Sequence, residues 1–124
     1  MGNFLKSASL SIILLFSVAT SQAAELLMFE HVGCVVCKKF KAEMLPKYLT
    51  SKYAKEMPIR SIVAGDDAAY EGITLKSYPF YYSPTFILVE DNKELVRIRG
   101  FGGEELFWQQ IANIYANHKH KFKS

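Results

Sequence analysis

The chain has 124 residues, a formal net charge of +3 at pH 7 with neutral histidines, and only two cysteines. This length allows one domain at most. The charge is too weak to indicate a nucleic-acid-binding protein, since such proteins carry dense basic patches that neutralise phosphates.

The N-terminal segment has the pattern of a cleaved secretory signal. Lys6 gives it one positive charge, residues 8–19 form an apolar run interrupted only by serines, and 21-SQA-23 offers small residues at the spacing that signal peptidase recognises. The apolar run is shorter than the roughly 20 residues that a membrane span needs. We therefore expect residues 1–23 to be removed, leaving an exported domain over residues 24–117 and a basic, solvated tail over residues 118–124.

The first strand, turn and helix are predicted over residues 25–49. The run 25-ELLMFE-30 suits a buried strand, and it ends at a turn, 31-HVG-33. A helix follows, with Cys34 in its first turn, and Pro46 is expected to kink or interrupt it because proline lacks the N–H that a helix interior needs. The apolar stripe that predicts this helix consists of Phe40, Met44, Leu45, Tyr48 and Leu49.

The rest of the chain predicts a second strand, then a two-stranded hairpin and a last helix. The β-branched run 58-PIRSIVA-64 completes a right-handed β-α-β unit with parallel strands. A short helix is expected around residues 68–71, and the aromatic loop 78-YPFYYSP-84 comes next. Residues 85–89 and 94–99 predict an antiparallel hairpin, and a last helix is expected from Gly103 to about Asn117.

The order β-α-β followed by β-β-α, with a CxxC pair at the start of the first helix, resembles the short form of the thioredoxin fold. A second feature supports the resemblance, because 83-SPT-85 stands directly before a strand where that family has its cis-proline. The resemblance implies an α/β, thioredoxin-like fold: a central mixed sheet with helices on both faces. It also implies that Pro84, with Ser83 and Thr85, presents backbone groups to an extended substrate.

The two cysteines are predicted to be a redox-active pair. A purely structural disulfide is a poor explanation for the pair, since a disulfide that closes a loop of four residues restricts the unfolded chain little. Unpaired N–H groups at a helix start stabilise a thiolate, and Lys38 adds a positive charge one turn on. We therefore expect Cys34 to be the attacking sulfur and Cys37 to resolve the mixed disulfide.

Two features of this site depart from thioredoxins. Val35-Val36 replaces the Gly-Pro of thioredoxins and the Pro-His of strongly oxidising relatives, so the reduction potential is bounded only between about −270 and −120 mV. Met28 stands where thioredoxin has a buried aspartate that accepts a proton. Glu30 is the nearest carboxylate, and it either takes that role or is an ordinary solvated residue at a strand end.

A metal site is the main alternative. Two thiolates with His31, or with His118 or His120 of the tail, suit copper or zinc, which would make the chain a metallochaperone. Two observations argue against a metal site. A structural zinc site needs four ligands at defined spacings, and the tail histidines lie in a lysine-rich stretch. Haem attachment is excluded because Lys38 stands where that motif needs histidine. We therefore expect no metal and no cofactor.

An aromatic cluster precedes Pro84 and predicts a docking surface. Tyr78, Phe80, Tyr81 and Tyr82 are too many for a loop without a partner, so some are expected to face the core and others to form an exposed rim. We expect a protein to bind there, next to Cys34.

The resemblance extends further, to one group. The segments 24-AELLMFEHVGCVVC-37, 84-PTFILVEDNKELVRIRGF-101 and 102-GGEELFW-108, with Pro46, are similar to the SoxS-type periplasmic thioredoxin-like proteins of bacterial sulfur oxidation. This implies a periplasmic protein-disulfide reductase, and we expect the chain to be a monomer. Its client would be the sulfur-carrier protein of the thiosulfate pathway, and its electrons would come from a membrane thiol-disulfide transporter. A disulfide-forming oxidase is the third possibility.

Overall fold

The computed structural model describes residues 24–122, which form a four-stranded mixed sheet. The strands are β1 (Glu25–Glu30), β2 (Ile59–Val63), β3 (Thr85–Glu90) and β4 (Lys93–Arg99). In the sheet they have the order β2-β1-β3-β4. β1 is parallel to β2 and antiparallel to β3, and β3 forms an antiparallel hairpin with β4. The predicted fold class is therefore confirmed.

The predicted signal segment, residues 1–23, lies outside the described residues. Within residues 24–122, no helix combines the length and the apolar character that crossing a bilayer requires.

The first predicted helix is divided at Pro46. It consists of α1 (Val35–Glu43) and α2 (Leu45–Leu49), with Pro46 in the first turn of α2. Proline is tolerated at that position because the N–H groups of a first turn have no partner within the helix. The N–H of Met44 still bonds to the carbonyl of Phe40 at 2.8 Å, so the helical hydrogen bonding of α1 continues up to Met44. The predicted interruption is confirmed.

One face of the sheet is covered by α1 and by α3 (Glu104–His118). The rings of Phe40 on α1 and Phe107 on α3 meet edge to face, with centroids 5.1 Å apart. This packing fixes α1, and with it the cysteines, against the sheet. The buried residues on this face include Leu26, Met28, Phe86, Leu88 and Ile98 from the sheet and Cys37, Ile111 and Ile114 from the helices.

The opposite face has a much thinner cover. The prediction placed helices on both faces, but the helical segment here is a single 3-10 turn, Asp67–Tyr70, close to the short helix expected around residues 68–71. Gly65 and Gly72, both with positive φ, bound this stretch and leave no room for a longer helix. The aromatic loop completes the cover, because Phe80 packs against Phe29 of β1 at 5.3 Å between ring centroids.

The described part of the C-terminal tail is more ordered than the sequence predicted. His118 belongs to α3, and a 3-10 turn over Lys119–Lys121 redirects the chain. The ring of Phe122 then packs against Tyr115, with centroids 6.2 Å apart. The expectation of a fully solvated tail is therefore wrong for Phe122, because its aromatic ring gains more from packing than from water. The side chains of Lys119–Lys121 are exposed, as expected.

Candidate active site

The two cysteines lie at the end of β1, where a tight turn leads into α1. Gly33 has a φ of +82°, a conformation that residues with a side chain rarely adopt, and it lets the chain reverse just before the helix. Cys34 is the N-cap residue of α1, and Cys37 lies in its first turn. The two are joined by a disulfide, with their Cα atoms 5.2 Å apart.

The two sulfurs differ in exposure. Cys37 is fully buried at 0% exposure, whereas Cys34 is partly exposed. The backbone N–H of Cys37 donates to Cys34 Sγ at 3.2 Å. Amide groups at a helix N-terminus favour negative charge, so this arrangement stabilises the thiolate of the exposed cysteine once the disulfide is opened.

The loop that contains Pro84 passes directly over the disulfide. The Ser83–Pro84 peptide bond is cis, and the carbonyl oxygen of Ser83 lies 3.6 Å from Cys34 Sγ. The carbonyl of Pro84 accepts the N–H of Gly100 at 2.7 Å, which ties the loop to the end of β4. Thr85 is buried, and its hydroxyl donates to the carbonyl of Tyr82 at 2.6 Å. The structure thus brings the three residues predicted to bind substrate to the side of the predicted nucleophile.

The hydroxyl of Ser83 has a position that the sequence did not reveal. Its Oγ lies 3.2 Å from Cys37 Sγ and accepts the backbone N–H of His31 at 3.0 Å. Because a disulfide sulfur carries no hydrogen, the hydroxyl is the donor to sulfur in the oxidised state. The only signal in the sequence was a hydroxyl-bearing residue directly before Pro84.

Lys38 lies one turn beyond Cys34 with its side chain exposed. Its backbone N–H donates to the carbonyl of Cys34 at 3.1 Å. Within the described residues its amino group makes no hydrogen bond or ion pair. Its predicted contribution is therefore a nearby positive charge, which salt screens at an exposed position.

Glu30 is buried rather than solvated. It is only 5% exposed, its Oε1 lies 2.6 Å from the amino group of Lys41, and its Oε2 accepts the hydroxyl of Ser61 at 2.5 Å. The interpretation as a solvated strand-end residue is wrong, because α1 lies over the end of β1 and Lys41 of α1 neutralises the carboxylate. Its role as a proton acceptor remains a prediction.

The histidines do not gather around the cysteines in the part of the chain that the structure describes. The Nε2 of His31 lies 2.7 Å from the carbonyl oxygen of Phe80, and the Nδ1 of His118 lies 3.0 Å from the carbonyl of Ile114. Among residues 24–122, no three His, Cys, Asp or Glu residues are grouped closely enough to hold a metal ion.

The aromatic loop divides its side chains between core and solvent, as expected. Phe80 is buried, whereas Tyr78, Tyr81 and Tyr82 are 52%, 75% and 58% exposed. We call these three tyrosines the aromatic rim. Apolar side chains also flank the disulfide on the α1 side, where Val35 is 76% exposed. The disulfide therefore lies in an apolar surface that is open to a partner.

A buried ion pair holds the loop behind the rim, and sequence analysis missed it. The guanidinium of Arg97 donates to the carboxylate of Glu94 at 2.9 Å and to the carbonyls of Ser77 and Tyr78 at 3.0 and 3.3 Å. Glu94 also accepts the backbone N–H of Lys76 at 3.1 Å. Burial alone raises the pKa of Glu94, but the hydrogen bonds and charge of Arg97 and the Lys76 N–H outweigh it, so the pKa is lowered.

Comparison with solved structures identifies the family. The chain is similar to the periplasmic thioredoxin SoxS of Paracoccus pantotrophus, solved in its reduced form, with 31% sequence identity over 75% of this chain and 96% of that one and a TM-score of 0.69. This chain belongs to the thioredoxin-like superfamily and to its SoxS-type group. The SoxS-type fold and the CxxC pair support thiol-disulfide oxidoreductase activity.

More distant structures match the SoxS-type chain in fold alone. Thioredoxin f2 of Chlamydomonas reinhardtii is 14% identical, with 80% of this chain and 82% of that one covered and a TM-score of 0.53. Trxlp from Edwardsiella tarda EIB202 is 18% identical, with 73% and 84% covered and a TM-score of 0.55. No protein-family model and no curated protein matches the sequence.

Proposed function

We propose that this SoxS-type chain is a periplasmic protein-disulfide reductase. The observation that carries the proposal is the pairing of a partly exposed Cys34 at a helix start with a fully buried Cys37. The carbonyl of Ser83 lies beside Cys34 Sγ, and the hydroxyl of Ser83 lies beside Cys37 Sγ. Only one sulfur is open to a partner, and the second is close enough to displace whatever the first has captured.

The reaction begins with the dithiol form. The Cys34 thiolate attacks one sulfur of the partner's disulfide, a Cys34–partner disulfide forms, and the partner's other sulfur leaves as a thiolate. Cys37 then loses its proton, attacks Cys34 Sγ and releases the partner's second thiolate. The partner gains two electrons, and the chain ends with the Cys34–Cys37 disulfide. The amide of Cys37 aids the first step because it stabilises the Cys34 thiolate.

The substrate segment is proposed to lie along the Pro84 loop. The loop residues beside Cys34 are Ser83, Pro84 and Thr85. The carbonyl of Ser83 is close enough to Cys34 Sγ to orient a bound backbone. The aromatic rim next to this loop supplies apolar surface for the same partner. Backbone contacts at this point would make binding tolerant of sequence and dependent on an extended conformation.

The location and the partners are part of the proposal. The signal-like segment and the periplasmic relative support export to the periplasm. There we propose a sulfur-carrier protein as the client, a membrane thiol-disulfide transporter as the electron donor, and action as a monomer.

The Cys37→Ser variant tests the roles of the two sulfurs. The reduced variant should accumulate a mixed disulfide with insulin, because Cys34 can still attack but nothing displaces the captured chain. Mass spectrometry of the digested adduct should locate it on Cys34. Wild-type protein should give no lasting adduct, and Cys34→Ser should give almost none, because Cys37 is buried. An adduct on Cys37 would reverse the assignment.

The direction of electron flow is tested separately, by equilibration with glutathione buffers. A reductase should have a potential toward the lower end of the range from about −270 to −120 mV. A value near the upper end would contradict the proposal and favour an oxidase.

A further inference from the structure

A cavity of about 600 Å³ opens beside the Pro84 loop, on the face of the sheet away from α1. Its size is typical of sites that bind a side chain or small ligand. Its walls include Tyr78, Tyr81 and Tyr82 of the aromatic rim, with Thr85, Arg97 and Arg99.

The two arginines of this cavity differ in whether a carboxylate neutralises them. The guanidinium of Arg97 is buried and neutralised by Glu94. Arg99 is exposed, with its guanidinium 6.0 Å from the ring centroid of Tyr82, and no carboxylate among residues 24–122 lies within 4.0 Å of it. A cation that an aromatic ring orients but no acid neutralises is complementary to an incoming carboxylate.

The cavity lies within reach of the reacting sulfur. Arg99 is the cross-strand partner of Thr85, two residues after Ser83, whose carbonyl touches Cys34. Paired strand residues are about 5 Å apart and successive Cα atoms about 3.8 Å apart, so the Cα of Arg99 lies on the order of 10 Å from that of Ser83, the residue beside Cys34 Sγ. An extended segment covers that span in about three residues.

The charges on the other side of the disulfide point to the same kind of partner. Lys38 and Lys39 are exposed on α1, whereas Glu30, the nearest acid in sequence, is buried and neutralised by Lys41. Exposed tyrosines with an arginine among them are typical of protein-binding surfaces, because they offer apolar area and polar tips together.

We infer that the cavity bounded by the aromatic rim and Arg99 binds an acidic side chain of the client protein, about three residues from the cysteine that reacts with Cys34. This inference rests on the proposed function and names its substrate class: an extended segment with a carboxylate near its reactive cysteine. Arg99 would form the ion pair, and the rim would cover the aliphatic part of that side chain.

The test uses peptides that carry one cysteine as a mixed disulfide with thionitrobenzoate. The peptides differ only at the position three residues before or three residues after the cysteine, where they have Glu, Gln or Lys. The reduced full chain is mixed with each peptide, and the rate constant for thionitrobenzoate release is measured. On one side of the cysteine, the Glu peptide should react about five-fold faster than the Gln peptide, and added salt should reduce that ratio.

Variants assign the preference to Arg99. In Arg99→Gln, the ratio of the Glu-peptide rate to the Gln-peptide rate should fall to near one. In Arg99→Glu, the Lys peptide should react faster than the Glu peptide. Lys93→Gln removes one exposed positive charge at the opposite end of the same strand and should keep the wild-type ratio. Equal rates for all peptides in the wild type, or an unchanged ratio in Arg99→Gln, would overturn the inference. Failure to react with any peptide would instead refute the proposed function.

Discussion

At the scale of single residues, Ser83 contacts both sulfurs of the redox pair, Cys34 through its carbonyl and Cys37 through its hydroxyl. It was predicted to offer its backbone to substrate, yet its hydroxyl also contacts the sulfur of Cys37. Cys37, the proposed resolving cysteine, is therefore not only buried but also hydrogen-bonded to a group outside its own helix. Because a thiol can both donate to and accept from a hydroxyl, whereas a disulfide sulfur can only accept, this contact favours the reduced state.

Ser83→Ala should therefore make the reduction potential more negative. Loss of about 1 kcal/mol of hydrogen bonding in the reduced form corresponds to about 20 mV for a two-electron couple. Equilibration with glutathione buffers measures the shift. Ser77→Ala, an exposed change in the same loop, is the matched control and should leave the potential unaltered. A potential that is unchanged or more positive in Ser83→Ala would contradict this account.

At the scale of elements, the Glu94–Arg97 pair joins β4 to residues 76–78, where the aromatic loop begins. Arg97 bonds to two carbonyls of that segment, and the backbone N–H of Thr74 bonds to the carbonyl of Asn92 at 2.7 Å. The edge of β4 is thereby partly covered, which also limits its pairing with other chains.

Glu94→Gln should lower the free energy of unfolding by about 3 kcal/mol at neutral pH, because it leaves Arg97 buried without its counter-charge. The effect should depend on pH. The pKa of Glu94 is lowered in the folded chain, so its stabilisation is present above the ordinary value of 4.5 and is lost as pH falls through the folded-state pKa. Urea unfolding should show the stabilities of wild type and variant converging as the pH falls below 4.5.

Glu104→Gln is the matched control for this experiment. Glu104 forms an exposed ion pair with Lys47 at 2.8 Å, and exposed pairs contribute little to stability. Its removal should change the unfolding curve hardly at all at any pH. A Glu94→Gln variant that also unfolds like wild type would show that the buried pair does not stabilise the loop.

At the scale of the whole molecule, the C-terminal segment closes the core on the face that α1 and α3 cover. Phe122 packs against this core through Tyr115, so the folded unit extends past residue 117, where the sequence placed its end. Ring packing compensates for the ordering of the chain between α3 and Phe122.

Phe122→Ala should reduce the free energy of unfolding by about 1 kcal/mol, the order expected for one partly buried aromatic pair. Chemical denaturation measures the change, and Lys121→Ala, an exposed neighbour, should have no effect. Equal stability of both variants and the wild type would show that the packing of Phe122 does not stabilise the folded unit.

Local sequence patterns were sufficient to predict the elements and the position of the cysteine pair. Strands, helices, the interruption at Pro46 and the placing of Cys34 at a helix start all depend on patterns within a few residues, where backbone preferences and apolar periodicity act. The family resemblance added the proximity of Pro84 to Cys34.

Which polar groups from distant positions contact one another could be learned only from the folded chain. The Ser83 hydroxyl beside Cys37, the neutralisation of Glu30 by Lys41, and the anchoring of residues 76–78 by Glu94 and Arg97 join positions far apart in the chain. Such contacts depend on strand order, register and the packing of α1 on the sheet, and a change of one residue in register would turn strand side chains such as Glu30 and Arg97 to the opposite face. Local patterns carry no information about strand order or register, because the packing of the whole core determines both.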